Sequence, residues 1–326
     1  MTDPDTYGQH LSKEDTAKRV VAAELREVDP CGFFDKTVLQ THGQLVTLGP
    51  AQFMATCEAG IVTAASQAEN SIPSSIFLEL TDSGPAYSDA DKKKDVNGVA
   101  VYDETDMDDA CKFTVTLAVP DGSGNSDDSG GNTYMRIVTQ GFGAKDHNAA
   151  NCVAANETVN SVITHSRDKK LPRRTDSSSV VPLATTDPCS LIPHLPQGFT
   201  VADGDWDMHS GAAPYYCLFH FLRPGASTSK YADAITVSYS LTEEYLVNYG
   251  DVHEQINGHP VKVQHLGSSI CAVDFPVGNT IDANLPGSNL SDSVKRFSRN
   301  KVVVTIHTPC DVYKEVASSA MSQFGG

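Results

Sequence analysis

Apolar residues in this chain fall into short runs, separated by segments rich in Gly, Pro, Ser, Asn and Asp. The clearest run places Ile235, Val237, Tyr239 and Leu241 in alternation with Thr236, Ser238 and Ser240. A period of two predicts a strand with one buried and one wet face. Shorter runs predict further strands over 75–80, 99–102, 112–119 and 133–139. Later in the chain they predict strands over 216–222, 234–241, 261–264, 272–275 and 301–307. Residues 15–25 fit a short helix through Val20, Val21 and Leu25. Short helices are expected at 32–41 and 190–195, each after an Asp-Pro-Cys in which Asp can cap and Pro suits a first turn. Helices over 149–163 and 311–324 follow the last strand of each set. No strand–helix–strand rhythm is present. The fold class expected is α+β, with antiparallel sheets flanked by helices.

The same order of elements occurs twice, and the cysteines measure the period. Cys31, Cys57, Cys111 and Cys152 are matched by Cys189, Cys217, Cys271 and Cys310 at offsets of 158, 160, 160 and 158 residues. Neighbouring residues repeat as well. Val28-Asp29-Pro30-Cys31 matches Thr186-Asp187-Pro188-Cys189, and Val96-Asn97-Gly98 matches Ile256-Asn257-Gly258. The period is that of a duplicated domain and is far too long for a solenoid. The expected division is a tail (1–26), repeat domain one (27–166), a basic and then Ser/Pro-rich linker (167–185), and repeat domain two (186–326).

Structural zinc sites use cysteine pairs two to four residues apart, and no such pair or C-x-x-C redox motif occurs. An even count divided four and four reads as two disulfides per domain. Three connectivities are possible in each set. Sequential pairing is the expectation adopted: Cys31–Cys57, Cys111–Cys152, Cys189–Cys217 and Cys271–Cys310. Four disulfides imply an oxidising, extracytoplasmic compartment.

Composition narrows the partners. The net charge is −17, with 20 acidic and 7 basic side chains in 27–166 alone. That balance argues against nucleic acid or an anionic membrane surface as the main partner. No apolar run reaches the length of a membrane span, and the polar first 19 residues do not read as a signal peptide.

The ordered motifs together resemble a family. They are the paired Asp-Pro-Cys, a second Cys about 27 residues on, an Asn-Gly turn before the third Cys, and a final Cys opening the last helix. This arrangement, present as two copies, is similar to a domain of unknown function in actinobacterial secreted proteins and lipoproteins. The resemblance implies a PsbP-type α+β fold, like that of LpqN-type lipoproteins. It also implies an exported, lipid-anchored envelope protein, although no lipidation cysteine lies near the N-terminus of this sequence. Any membrane attachment is therefore expected through a lipid or signal anchor outside it. The family supplies no catalytic residues to transfer.

Several clusters invite chemistry. The acidic run Asp103, Glu104, Asp106, Asp108 and Asp109 could face a basic partner, although charge runs are usually solvated. His253, His259 and His265 recur every six residues without the spacing that would place them on one helical face. Asp203, Asp205, Asp207 and His209 alternate around Trp206, and the loop 121–132 has some oxygen ligands of a calcium loop but lacks its Gly and Glu. Both read as turns or loops, and no metal or cofactor is expected. Domain-two aromatics (Trp206, Tyr215, Tyr216, Phe219, Phe221, Tyr239, Tyr245, Tyr249) could line a pocket but fit a core equally well. No nucleophile elbow, H-E-x-x-H, P-loop or G-x-G-x-x-G occurs. The sequence therefore reads as a non-enzymatic envelope module binding a small molecule, a lipid or a protein. The alternatives are an accessory subunit of a membrane or envelope complex, and a hydrolase with an unrecognised site.

Overall fold

The computed structural model describes residues 7–8, 11–63, 73–81, 84–85, 92–105, 110–119, 133–140, 146–176, 180–202, 214–225, 233–247 and 252–325. Among these residues the chain is α+β, with two antiparallel sheets of seven strands each. Sheet one contains β1 (Gln44–Gly49), β2 (Thr56–Val62), β3 (Ser74–Thr81), β4 (Lys93–Val96), β5 (Val99–Asp103), β6 (Lys112–Leu117) and β7 (Thr133–Gln140). Sheet two contains β8 (Thr200–Val201), β9 (Tyr216–Leu222), β10 (Asp233–Glu243), β11 (Val252–Ile256), β12 (His259–Leu266), β13 (Ile270–Asp282) and β14 (Arg299–Pro309). The spatial orders are β1-β2-β3-β7-β6-β5-β4 and β8-β9-β10-β14-β13-β12-β11. Position for position they are the same, which is what the cysteine period implies.

Local chemistry explains the repeated features. Asn97-Gly98 and Asn257-Gly258 turn β4 into β5 and β11 into β12, each with both residues at positive φ. Asn-Gly tolerates that geometry and suits the two-residue hairpin. Asp29 and Asp187 each accept the amide of the cysteine two residues on, at 3.0 Å, and so start 3₁₀ turns at Pro30–Phe33 and Pro188–His194. The helices are α1 (Lys13–Glu27), α2 (Lys36–Gln40), α3 (Asp146–Arg167), α4 (Asp292–Lys295) and α5 (Tyr313–Phe324). In sheet one, alternate residues such as Ile76, Leu78, Val115, Met135 and Ile137 are buried on the side covered by α3. In sheet two the buried set includes Phe219, Phe221, Ile235, Val237, Val304 and Ile306, with Phe324 of α5 edge-on to Tyr239.

Disulfides join Cys31 to Cys57, Cys111 to Cys152, Cys189 to Cys217 and Cys271 to Cys310, the sequential connectivity. Each closes a loop worth about 3.5–4 kcal/mol in the chain-entropy description. Such bonds suggest an oxidising, extracytoplasmic environment. No helix among the described residues is long and apolar enough to cross a membrane.

The compact units differ from the expected boundaries. One comprises 1–26, 181–280 and 301–326; the other comprises 27–180 and 281–300. Of the stretch expected as a tail, residues 13–26 form most of helix α1. Helix α1 buries Arg19, Val21, Ala22 and Leu25 and joins the unit of the second repeat through Asp187 and the Pro214 carbonyl. Residues 281–300 instead complete the unit of the first repeat. Leu48 N–H donates to Ala283 and Leu285 N–H to Val46, while Leu290 packs on Val46 and Val62. The segment 167–185 is tied down on both sides of its division at 180. Asp29 N–H donates to Pro172, and the Tyr215 hydroxyl donates to Ala184.

Strands β1, β2, β4, β8 and β11 lie outside the sequence expectation. β4 reads Lys-Lys-Asp-Val and is exposed at an edge, and β2 carries Ala and Gly in its middle. Their extended form depends on pairing with neighbours rather than on their own patterns.

Candidate functional site

Alternation leaves each sheet a second face, turned away from the covering helices, and the two faces differ in chemistry. On sheet one, polar side chains of this face pair with one another. The Ser75 hydroxyl donates to Glu58, and Arg136 Nη1 lies 3.1 Å from Glu79. The Thr114 hydroxyl donates to Glu104, whose other oxygen is 2.9 Å from Lys112 Nζ.

On sheet two, register aligns His253, Lys262 and Asp274 across β11, β12 and β13. The Thr305 hydroxyl of β14 donates to Asp274 at 2.7 Å, and Thr236 shares a 2.8 Å hydrogen bond with His307 Nδ1. Beside this row lies a cavity of about 340 Å³. Lys262, Asp274, Pro276 and Val303 line it together with Pro260, Phe275, Thr242 and His253. Leu246 and Val247, in the turn after β10, complete the lining, and Leu246 and its neighbour Tyr245 are each 40% exposed. At the repeat offset, Tyr102 stands for Lys262 and Thr114 for Asp274. The duplication thus kept the geometry and changed the chemistry.

A second cavity, about 390 Å³, lies between α2 and α3. Its lining is mostly helix-surface polar, including Asp35, Glu157, Asn160 and Thr164. The imidazoles there have local partners: His42 Nε2 is 2.6 Å from Glu157, and His165 Nδ1 is 2.8 Å from the Lys170 carbonyl. Pockets that hold ligands combine apolar walls with a few convergent polar groups, and the sheet-two groove has that character.

Of the acidic run, only Asp103 and Glu104 are among the described residues. Glu104 is buried, at 3% exposure, because Thr114 and Lys112 hold its carboxylate inside. Asp103 is part-exposed and 3.9 Å from Lys94. Asp106, Asp108 and Asp109 lie outside the described residues, as do the loop 121–132, Asp203, Asp205, Asp207, Trp206, His209 and Tyr249.

The three histidines are not brought together. His253 pairs with Lys262, so it faces the groove, whereas His259 and His265 share the parity of Val261 and Val263 on the opposite face. Six strand residues separate those two by roughly 20 Å. Of the aromatics, Phe219, Phe221, Tyr215 and Tyr239 are core, and Tyr245 is exposed near the groove.

Two features escaped sequence reasoning. The alternation of 261–264 was visible, but not which residues would oppose Lys262. Nor was it visible that the β12–β13 register places His265 opposite Cys271. Ligand atoms of His265, Cys271 and Cys310 lie within 4.8 Å of one another, but the sulfurs are joined, so neither offers a thiolate to a metal while the bond is intact.

No family model matches this chain, and neither the curated proteins nor the solved structures compared with it provide a match.

Proposed function

We propose that the chain is an exported cell-envelope protein that binds rather than catalyses, and that its ligand or partner occupies the groove on sheet two. The observation carrying this reading is the groove itself, where apolar walls (Leu246, Val247, Val303) meet His253, Lys262 and Asp274. A cation and an anion side by side on a partly apolar floor suit a ligand with both a polar and an apolar part. The disulfides support an extracytoplasmic setting for it.

The test is amide-resolved NMR of the full chain against a diverse fragment set. Perturbations should concentrate on Leu246, Lys262, Asp274 and Val303, and Leu246→Asp should weaken the best binder at least tenfold. Perturbations scattered over both units would overturn the assignment, and turnover of a fragment would overturn the non-enzymatic reading. A competing role as an accessory subunit is favoured by the charge of −13 over 27–166. It would appear instead as salt-sensitive binding of a basic protein by the first repeat, untouched by Leu246→Asp.

A further inference from the structure

The four disulfides are not chemically equivalent. His265 sits directly across the ladder from Cys271, next to the turn that joins β12 to β13. Its Nδ1 lies 3.3 Å from Cys271 Sγ and 3.6 Å from Cys310 Sγ. The ring is exposed, Cys271 is fully buried, and Cys310 is partly exposed. The matching bond of the first repeat, Cys111–Cys152, has Thr105 at the position of His265, and that hydroxyl accepts from the Lys112 amide. The duplication therefore contains its own control: one bond with an imidazole against it, and one with none against it among the described residues.

We propose that Cys310 is a thiol-exchange site, at which a low-molecular-weight thiol opens the Cys271–Cys310 disulfide with His265 as proton donor to the departing sulfur. Exposure selects the sulfur attacked. An external thiolate reaches Cys310 Sγ, while Cys271 Sγ is covered. A new S–S bond forms between the thiol and Cys310 as the Cys271–Cys310 bond breaks, and its electron pair leaves on Cys271 Sγ. The protonated imidazole gives that sulfur its Nδ1 proton and is reprotonated from solvent. The products are a mixed disulfide at Cys310 and a thiol at Cys271, so atoms and electrons balance. Exchange rates depend on how well the leaving sulfur carries charge, and a positioned acid at hydrogen-bond distance lowers that demand. This site stands apart from the sheet-two groove and does not depend on the binding role proposed above.

The test treats the native full chain with limiting N-acetylcysteine, quenches by alkylation and maps each cysteine by peptide mass spectrometry over time. Cys271–Cys310 should open at least about tenfold faster than Cys111–Cys152, with the adduct on Cys310, a modest share of what general acids contribute. His265→Gln should abolish that advantage. His265 is exposed, so the fold should persist, and unchanged rates at the other three disulfides would report it. Equal rates for the two bonds, an adduct on Cys271, or an advantage surviving His265→Gln would each overturn the proposal. So would His265→Gln altering all four rates alike, since that reads global opening rather than local chemistry.

Discussion

Asp29 and Asp187 hold the same place in the two repeats, and replacing each by Asn separates a helix cap from a buried ion pair. Both accept a cysteine amide at 3.0 Å. Asn caps about as well as Asp, so Asp29→Asn should cost only a few tenths of a kcal/mol. Asp187 has further duties. Arg19 Nη2 lies 2.6 Å from its Oδ2, Arg26 Nη2 lies 3.7 Å away, and the Tyr7 hydroxyl donates to it at 3.2 Å. The side chains of Arg19 and Arg26 are only 3% and 9% exposed. Removing one partner of a buried pair costs about 3–5 kcal/mol, because the other charge stays desolvated. Asp187 is itself 19% exposed, so the lower end, about 3 kcal/mol, is expected. The loss should fall on the docking of α1. Hydrogen exchange of peptides from 13–27 should accelerate by roughly a hundredfold, as 1.4 kcal/mol per decade requires. Exchange in the first-repeat unit should not change. If Asp187→Asn and Asp29→Asn agree within about 0.5 kcal/mol in urea unfolding, or if α1 exchange is unmoved, the ion pair does not hold the helix.

The Tyr239 hydroxyl is buried without a hydrogen-bond partner among the described residues, so Tyr239→Phe should be neutral or stabilising by up to about 1 kcal/mol in thermal unfolding. Burial, with Asp187 second, raises Tyr7 from 10.0 to about 12. The protonated phenol is thus favoured in the fold, and its contribution is complete below pH 10 and is lost as pH rises toward about 12. Tyr7→Phe should flatten that alkaline decline in a circular-dichroism titration. At the other extreme, hydrogen bonds from Tyr313 and Lys314 hold Glu254 below its usual 4.5, and Arg223 holds Asp311 below 3.8. Their contributions are complete above those values and are lost as pH falls through the depressed ones. Amide protection factors near the start of α5, taken against the intrinsic rate at each pH, should therefore fall below about pH 4, and less steeply in Glu254→Gln. Replacing Cys189 and Cys217 together by Ala should cost about 3.5 kcal/mol in chemical unfolding, and a loss below about 1 kcal/mol would refute the loop-entropy account.

Much of the architecture was legible because it rests on local chemistry or on repetition. The period of about 160 residues is carried by cysteines, Asp-Pro-Cys caps and Asn-Gly turns, each of which acts within a few residues of itself. Duplication, α+β class, disulfide number and the strands with clean alternation follow from those signals. The edge strands did not, because β4 is polar and exposed and β8 is two residues long, so each gains its form from pairing with β5 or β9 rather than from its own pattern. Nor did the exchange of segments in which residues 1–26 complete one unit and 281–300 the other. Composition registers only that α1 is half polar, whereas burial of Arg19 and Arg26 depends on a carboxylate far along the chain. Both candidate sites belong to this second kind. Lys262 opposite Asp274, and His265 opposite Cys271, are products of one β12–β13 register. Which residues would alternate on those strands was already written in the order of apolar and polar side chains. The tertiary structure alone decided their cross-strand neighbours, because a slip of one residue would exchange the faces of every side chain on them.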